Sequence, residues 1–235
     1  MIPILRYDPR VKYIELNGEI YENSEFIPVG VSMSLGDRSP LDFRPGPGVS
    51  TECSDPESFK IAIVDGGIGV SHYDFEYCGV FEENGSADPN RETHCMGKAF
   101  LKSNDAADGQ DWFNTKREHG MHVGGIIAAS GLNGAGISGM IADEKFCLVV
   151  SRVFGDGGGA TVAKVAEAII WAADTGSKVI NMSLGTSNEF SAVTDAIQYA
   201  YAKGTCLIEY IGALLRQMPS TDQKSAKSFG LQVLY

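Results

Sequence analysis

The sequence predicts an α/β fold in which a parallel β-sheet carries helices on both faces. Short apolar runs rich in β-branched residues recur along the 235 residues, and segments of about 10–15 residues with helical spacing separate them. Glycine and aspartate clusters follow several of these runs. Strands that alternate with helices need crossover connections, which are typical of parallel sheets. In such sheets, functional residues gather at the carboxyl ends of the strands.

The first part of the chain changes character at Phe59. Residues 28–58 hold five prolines, which fix φ and remove hydrogen-bond donors, so they predict a linker or extended loop. Residues 59–64 are a short run rich in β-branched residues that ends at Asp65, as expected of a buried parallel strand. The polar residues 76–118 predict loops. Small and apolar residues from 119 to 130 predict a helix that packs closely against its neighbours.

The second part alternates regularly. Residues 146–153 predict a second buried strand, and residues 161–174 carry apolar side chains at helical spacing, with Gly176 as a C-cap. A third strand is predicted at 178–183 and a second helix at 190–203, closed by Gly204. A fourth strand begins at 205.

Composition and charge exclude several classes of function. The net charge is −11, from 19 Lys and Arg against 30 Asp and Glu, which disfavours a nucleic-acid or anionic-membrane binder. No apolar run approaches the ~20 residues of a membrane span, and the N-terminus lacks a signal-peptide pattern.

The five cysteines match no zinc-binding spacing. Cys147 and Cys206 lie in apolar runs and are predicted to be buried thiols. Cys78 and Cys95 lie in loop-like sequence and could pair in a secreted protein.

Three motifs carry candidate chemistry, and each alone is ambiguous. Asp65 before two glycines could be a turn or capping residue. His119 and His122 open a helix and could be a metal pair or structural residues. A helix N-terminus disfavours an imidazolium, so a histidine there that must become charged needs a carboxylate partner. The segment 181–185, Asn-Met-Ser-Leu-Gly, could be an ordinary turn after a strand.

In this order the three motifs resemble the subtilisin-like serine proteases, the subtilases, whose triad runs Asp, His, Ser. The resemblance covers residues 59–208 and implies a three-layer fold around a central parallel sheet, incomplete at the C-terminus. It implies that Asp65 orients the ring of His119, that His119 is the general base, and that His122 is structural. It further implies a calcium ligand at Asp74, and substrate-binding residues at Gly157, Gly158, Gly159, Ser183, Leu184 and Gly185.

The resemblance also implies a domain organisation. Residues 1–27 are expected to be the remnant of an inhibitory propeptide, 28–58 a linker, 59–208 the N-terminal part of the peptidase domain, and 209–235 a non-homologous tail. Expected partners are protein or peptide substrates and the chain's own propeptide, with no nucleic acid. No cofactor is required for the chemistry, although structural calcium is expected. Secretion is expected from the family, although the signal peptide is missing.

The sequence departs from the family at small and large scale. Gly66, Met121 and Gly124 replace residues usual beside the Asp and His, so we expect the pair to be imperfectly held. The family's oxyanion Asn and its Gly-Thr-Ser-Met-Ala segment do not occur in the 235 residues. Three serines near the C-terminus lie in a polar stretch without a Gly-x-Ser context: Ser220, Ser225 and Ser228.

The sequence therefore predicts that this chain is inactive as a peptidase, because it lacks the nucleophilic Ser. Two alternatives come from other classes. One is a non-catalytic, pseudoprotease-like or propeptide-like protein that binds peptides or proteases. The other is an unrelated doubly wound domain with a histidine metal site, which would hold stoichiometric zinc.

Overall fold

The computed structural model describes residues 50, 52–78, 94–101, 111–113, 115, 118–131, 133–141, 146–156, 159–185 and 190–209. The predicted propeptide remnant, most of the linker and nearly all of the tail lie outside them. In this part of the chain the strands β1 to β5 are Lys60–Asp65, Cys95–Ala99, Cys147–Arg152, Val179–Met182 and Cys206–Glu209. The helices α1 to α3 are Glu118–Ala128, Val162–Asp174 and Ser191–Ala202, and a short 3₁₀ helix spans Tyr73–Cys78.

The five strands form one parallel sheet in the order β2-β3-β1-β4-β5. β1 lies in the middle, with Asp65 in register with Arg152 of β3 and Ile63 in register with Asn181 of β4. All strands point the same way, so their carboxyl ends lie along one edge of the sheet. The predicted parallel sheet is confirmed.

Helices cover both faces of this sheet. Ile63 and Val150 pack on one face with Val123 of α1. Alternate strand residues point to the other face, where they form a second core with Ile169 of α2 and Ala196 of α3. The predicted α/β fold with three layers is therefore confirmed, with α1 on one side and α2 and α3 on the other.

The helix boundaries follow local sequence signals. Thr161 caps α2 by accepting a hydrogen bond from the backbone N–H of Lys164 at 3.3 Å. Gly176 and Gly204 follow α2 and α3 with φ of +84° and +83°, as predicted for helix C-termini. None of the helices in the described ranges is long and apolar enough to cross a membrane.

Strand β2 corrects the prediction of loops throughout residues 76–118. Cys95–Ala99 contains no β-branched residue, so its strand propensity is low. Its pairing with β3 and the packing of the Trp112 ring over Gly97 account for the strand instead.

The predicted cysteine states are partly wrong. Cys147 is buried, but it forms a disulfide with Cys53 and is not a thiol. Cys206 is free but exposed, because it alternates with the buried Leu207 on the outermost described strand. Cys78 and Cys95 do form a disulfide, the pairing considered for a secreted protein.

Candidate active site

Asp65 ends the central strand and is almost fully buried, with 1% of its surface exposed. Its backbone carbonyl accepts a hydrogen bond from the N–H of Val153 at 2.7 Å. The N–H of Gly66 donates to its carboxylate Oδ1 at 2.5 Å. A buried carboxylate needs such partners, because an uncompensated charge in the interior is strongly unfavourable.

His119 is the second residue of α1 and supplies the other partner. Its ring Nδ1 lies 2.9 Å from both carboxylate oxygens of Asp65, across 54 positions of sequence. The His119 side chain is 47% exposed, against 1% for Asp65. Among the described residues, no hydrogen bond engages its second ring nitrogen, Nε2. The arrangement is a ring fixed on its inner side and open on its outer side, with the carboxylate that a histidine at a helix N-terminus requires.

A close contact between α1 and the loop after β1 sets this geometry. A Cβ added at Gly120 would overlap the carbonyl oxygen of Gly67 and lie 3.2 Å from Oδ1 of Asp65. Only glycine lets the helix approach this closely.

The departures from the family pattern fit this packing. The sulfur of Met121 accepts a hydrogen bond from the N–H of Gly69 at 2.8 Å. A Cβ at Gly124 would come within 3.3 Å of Ile68 and Phe75. The expected imperfection is not seen, because the ring of His119 still reaches Asp65 at hydrogen-bonding distance.

The predicted substrate-binding segments follow the two strands beside β1. After β4, Ser183 is half-buried and its hydroxyl accepts a hydrogen bond from the amide of Asn181 at 2.9 Å. Leu184 packs against the core on the α2 and α3 side, and Gly185 is exposed. After β3, Gly159 is exposed. Gly157 and Gly158 lie outside the described residues.

His122 and Asp74 lie apart from this pair. His122 is exposed on α1. Asp74 is buried, and its Oδ2 accepts a hydrogen bond from the N–H of Ile137 at 3.4 Å, while its Oδ1 has no partner in the described part of the chain. Across those same ranges, no group of three or more His, Cys, Asp or Glu residues could hold a metal ion.

Arg152 is a residue beside the site that the sequence reasoning missed. It ends β3 in register with Asp65, and only 2% of its surface is exposed. It forms ion pairs with Asp111 and Asp156, at 3.2 and 2.9 Å. The available signal was a single cation at the end of a run that is otherwise apolar.

Comparison with known proteins decides the family. The model of the subtilase family matches residues 57–213, more than half of the chain. The chain belongs to the subtilase family.

Individual relatives agree with this subtilase assignment. The chain is 31% identical over 153 residues to the thermophilic serine proteinase of Bacillus sp. (strain AK1), covering 65% of this chain and 32% of that protein. It is 32% identical over 166 residues to the halolysin-like extracellular serine protease Nep of Natrialba magadii, covering 70% of this chain and 28% of that protein. The chain thus spans about a third or less of the length of these curated relatives.

A solved structure supports the fold. The structure described as "S41 Psychrophilic Protease" aligns with a TM-score of 0.54 at 27% identity, covering 79% of this chain and 52% of that one.

Proposed function

We propose that residues 59–208 are the N-terminal part of a subtilisin-like serine endopeptidase domain, with Asp65 and His119 as two members of its triad. In this reaction a serine hydroxyl attacks the peptide carbonyl while His119 Nε2 takes its proton. Asp65 stabilises the imidazolium that forms. His119 then returns the proton to the leaving amine, and water hydrolyses the acyl-enzyme by the same acid–base cycle.

One observation carries this proposal: the 2.9 Å contact between Nδ1 of His119 and the buried carboxylate of Asp65. The carboxylate holds the ring in the tautomer whose Nε2 is free to accept a proton. The His119 side chain is 47% exposed, which fits access by a substrate and a nucleophile.

The hydrogen bond is testable by proton NMR of the 235-residue chain. A proton shared between Nδ1 and a carboxylate gives a signal downfield of the amide region. We expect that signal to disappear in Asp65→Ala and to persist in His122→Gln, which changes an exposed histidine on the same helix. Persistence of the signal in Asp65→Ala would contradict the assignment.

We further propose that this 235-residue polypeptide has no useful peptidase activity by itself. Loss of the triad serine typically lowers kcat by about 10⁶, and one oxyanion donor accounts for about 10²–10³. The segments that supply both groups in the family do not occur in these residues. The chain should therefore remain unlabelled by a serine-directed fluorophosphonate, with commercial subtilisin as the positive control. Covalent labelling would overturn this part of the proposal.

The proposed substrate is a peptide in extended conformation. Gly157, Gly158 and Gly159 would pair with its backbone as an edge strand, where glycine leaves room for close approach. Ser183, Leu184 and Gly185 would line the pocket for its principal side chain. In support, the order β3-β1-β4 flanks Asp65 with the strands that precede these two segments. Peptide binding without fluorophosphonate labelling is also what the non-catalytic alternative predicts, and tight inhibition of a subtilase by residues 1–58 alone would favour that alternative.

Asp74 is proposed as one oxygen ligand of a structural calcium ion. Its buried Oδ1 lacks a hydrogen-bond partner in the described ranges, which fits a hard cation. The other ligands would have to be carbonyl, amide or water oxygens. Calcium should therefore raise the melting temperature of the chain relative to EDTA, and Asp74→Asn should reduce that difference. An identical calcium effect in Asp74→Asn would exclude this residue.

The remaining proposals concern organisation and location. Residues 1–27 are proposed as a propeptide remnant that binds the peptidase domain, 28–58 as a linker and 209–235 as a non-homologous tail. Secretion is proposed because a relative is an extracellular protease and because two disulfides form among the described residues.

A further inference from the structure

The guanidinium of Arg152 donates hydrogen bonds to two separate segments of the chain, one at Asp111 and one just after β3. Its Nη1 donates to the backbone carbonyl of Asp111 at 2.6 Å and lies 3.2 Å from the carboxylate of the same residue. Its Nε donates to the carbonyl of Phe154 at 3.3 Å, and its Nη2 to the carboxylate of Asp156 at 2.9 Å. A buried cation is unfavourable without such partners, so both segments are held against the guanidinium.

The first segment, residues 111–113, is hydrogen-bonded to the loop that follows Asp65. The carbonyls of Trp112 and Phe113 accept hydrogen bonds from the N–H groups of Ile68 and Val70, at 3.2 and 3.1 Å. Because Trp112 and Phe113 directly follow Asp111, the position of Asp111 is coupled to that of this loop.

The aliphatic stem of Arg152 reaches the same loop. A Cβ added at Gly67 would lie 3.0 Å from Cδ of Arg152, and the carbonyl of Gly67 is the group against which Gly120 of α1 packs. Arg152 thus supports, through Gly67, the contact that seats the helix of His119.

The second segment follows β3 and contains Phe154 and Asp156. In the sequence Asp156 directly precedes Gly157, the first of the three glycines proposed to pair with a peptide. Lysine could not replace these contacts, because its single ammonium group lacks the planar fork that reaches several acceptors at once.

We propose that Arg152 is a positioning residue that fixes residues 154–156, which precede the proposed peptide-pairing glycines, at a set place relative to Asp65 and His119. The inference rests on the proposed function, since that function gives the segment its role. Arg152 itself touches neither the substrate nor the reacting atoms in this role.

Amide hydrogen exchange of the 235-residue chain tests the positioning directly. In Arg152→Lys, we expect exchange at Ile68, Val70 and Phe154 to accelerate about tenfold or more, because local opening replaces fixed contacts. Exchange at Val193 of α3 should change less than about twofold. Lys203→Met, which removes a cation far from this junction, is the matched control and should leave Ile68, Val70 and Phe154 unchanged. A uniform acceleration throughout the chain, or none at Ile68 and Val70, would overturn the proposal.

Asp156→Asn covers the case in which Arg152→Lys fails to fold. The Asp156 side chain is 60% exposed, so its replacement should preserve the fold. We expect exchange at Phe154 to rise about threefold while Val193 stays fixed. No change at Phe154 would count against the positioning role.

Binding of the uncleavable peptide succinyl-Ala-Ala-Pro-Phe-amide separates this inference from the proposed function. We expect affinity to fall about tenfold in Arg152→Lys, while the downfield signal of His119 persists. Unchanged affinity together with unchanged exchange would reject the role of Arg152. If the unmodified chain does not bind the peptide, the proposed substrate cleft fails, and the exchange measurements still decide whether Arg152 fixes the segment.

Discussion

The two faces of the sheet are built differently. On one face, α1 approaches the loop after β1 through glycines and holds His119 against Asp65 by a hydrogen bond. On the other face, α2 and α3 pack apolar side chains such as Ile169 and Ala196 on the strands and on each other. Glycine lowers helix stability by about 1 kcal/mol relative to alanine. The glycines of α1 therefore make this helix less stable, but they allow its close contact with the loop after β1.

A disulfide accompanies each face. Cys53–Cys147 lies with the α2 and α3 core, and Cys78–Cys95 lies with the α1 core. We expect the α2 and α3 face to supply most of the stability, while the α1 face fixes the geometry of the candidate site. Four experiments test this division.

The largest expected effect comes from the disulfide on the α2 and α3 face. Replacing Cys53 and Cys147 by alanine should lower the free energy of unfolding by about 4–5 kcal/mol, because their sequence separation is 94. Replacing Cys78 and Cys95, separated by 17 positions, should lower it by about 3 kcal/mol. Urea unfolding of both variants checks the order. A larger decrease in the free energy of unfolding on removal of Cys78–Cys95 than on removal of Cys53–Cys147 would contradict this division between the faces.

A cavity in the same core should come next. Ile169 of α2 is fully buried, and Ile169→Ala should lower the free energy of unfolding by about 3 kcal/mol, through lost burial and an unfilled space. The downfield NMR signal of His119 should stay, because the site lies across the sheet. Loss of that signal in a variant that remains folded would show that the two faces are not separable.

The corresponding substitution on the α1 face is Gly120→Ala. The added Cβ overlaps the carbonyl of Gly67, so we expect the His119 signal to disappear and the free energy of unfolding to fall by about 2 kcal/mol. Gly125→Ala is the matched control in the same helix, because its Cβ would meet only the end of the Ile137 side chain at 3.3 Å. An intact His119 signal in Gly120→Ala would refute the positional role of this contact.

The smallest expected effect comes from a surface ion pair between α2 and the end of α3. The ammonium of Lys203 and the hydroxyl of Tyr199 donate to Asp174 at 2.5 and 2.7 Å, and these bonds lower the pKa of Asp174 below 3.8. The bond to Asp174 also raises the pKa of Lys203 above 10.5.

The stabilisation by this pair is thus fully present between pH 3.8 and pH 10.5, the ordinary pKa values of the two groups. It is lost as the pH falls below 3.8 through the lowered pKa of Asp174, or rises above 10.5 through the raised pKa of Lys203. Lys203→Met should lower the melting temperature by about 2 °C or less at pH 7, and by less at pH 2. A larger deficit at pH 2 than at pH 7 would contradict the sign.

Much of the fold followed from the sequence, because β1, β3 and the two long helices carry strong periodic signals. The pairing of Asp65 with His119 was also predictable. A carboxylate that ends a buried strand and a histidine at a helix N-terminus each require a partner of opposite charge, and the two motifs occur in the order of a known family. In contrast, β2 was missed because its residues have low strand propensity and its order comes from β3 and Trp112.

The buried state of other residues depends on contacts that are remote in sequence. Arg152 is stable in the interior only because Asp111 and Asp156 reach it from two segments. Cys206 was predicted to be buried from its apolar run, but the outermost described strand leaves alternate side chains uncovered. The partner of Cys147 could not be inferred, because Cys53 lies 94 positions away in a proline-rich region.

The disulfide between Cys53 and Cys147 also has a mechanical consequence. It closes a covalent ring that contains Asp65, His119 and the second disulfide. A force that pulls on the two ends of the oxidised chain would not extend the residues inside this ring. The fully stretched oxidised chain would therefore be about 330 Å shorter than the reduced chain. A single backbone cut between residues 54 and 146 would likewise leave Asp65 and His119 on one covalently joined molecule.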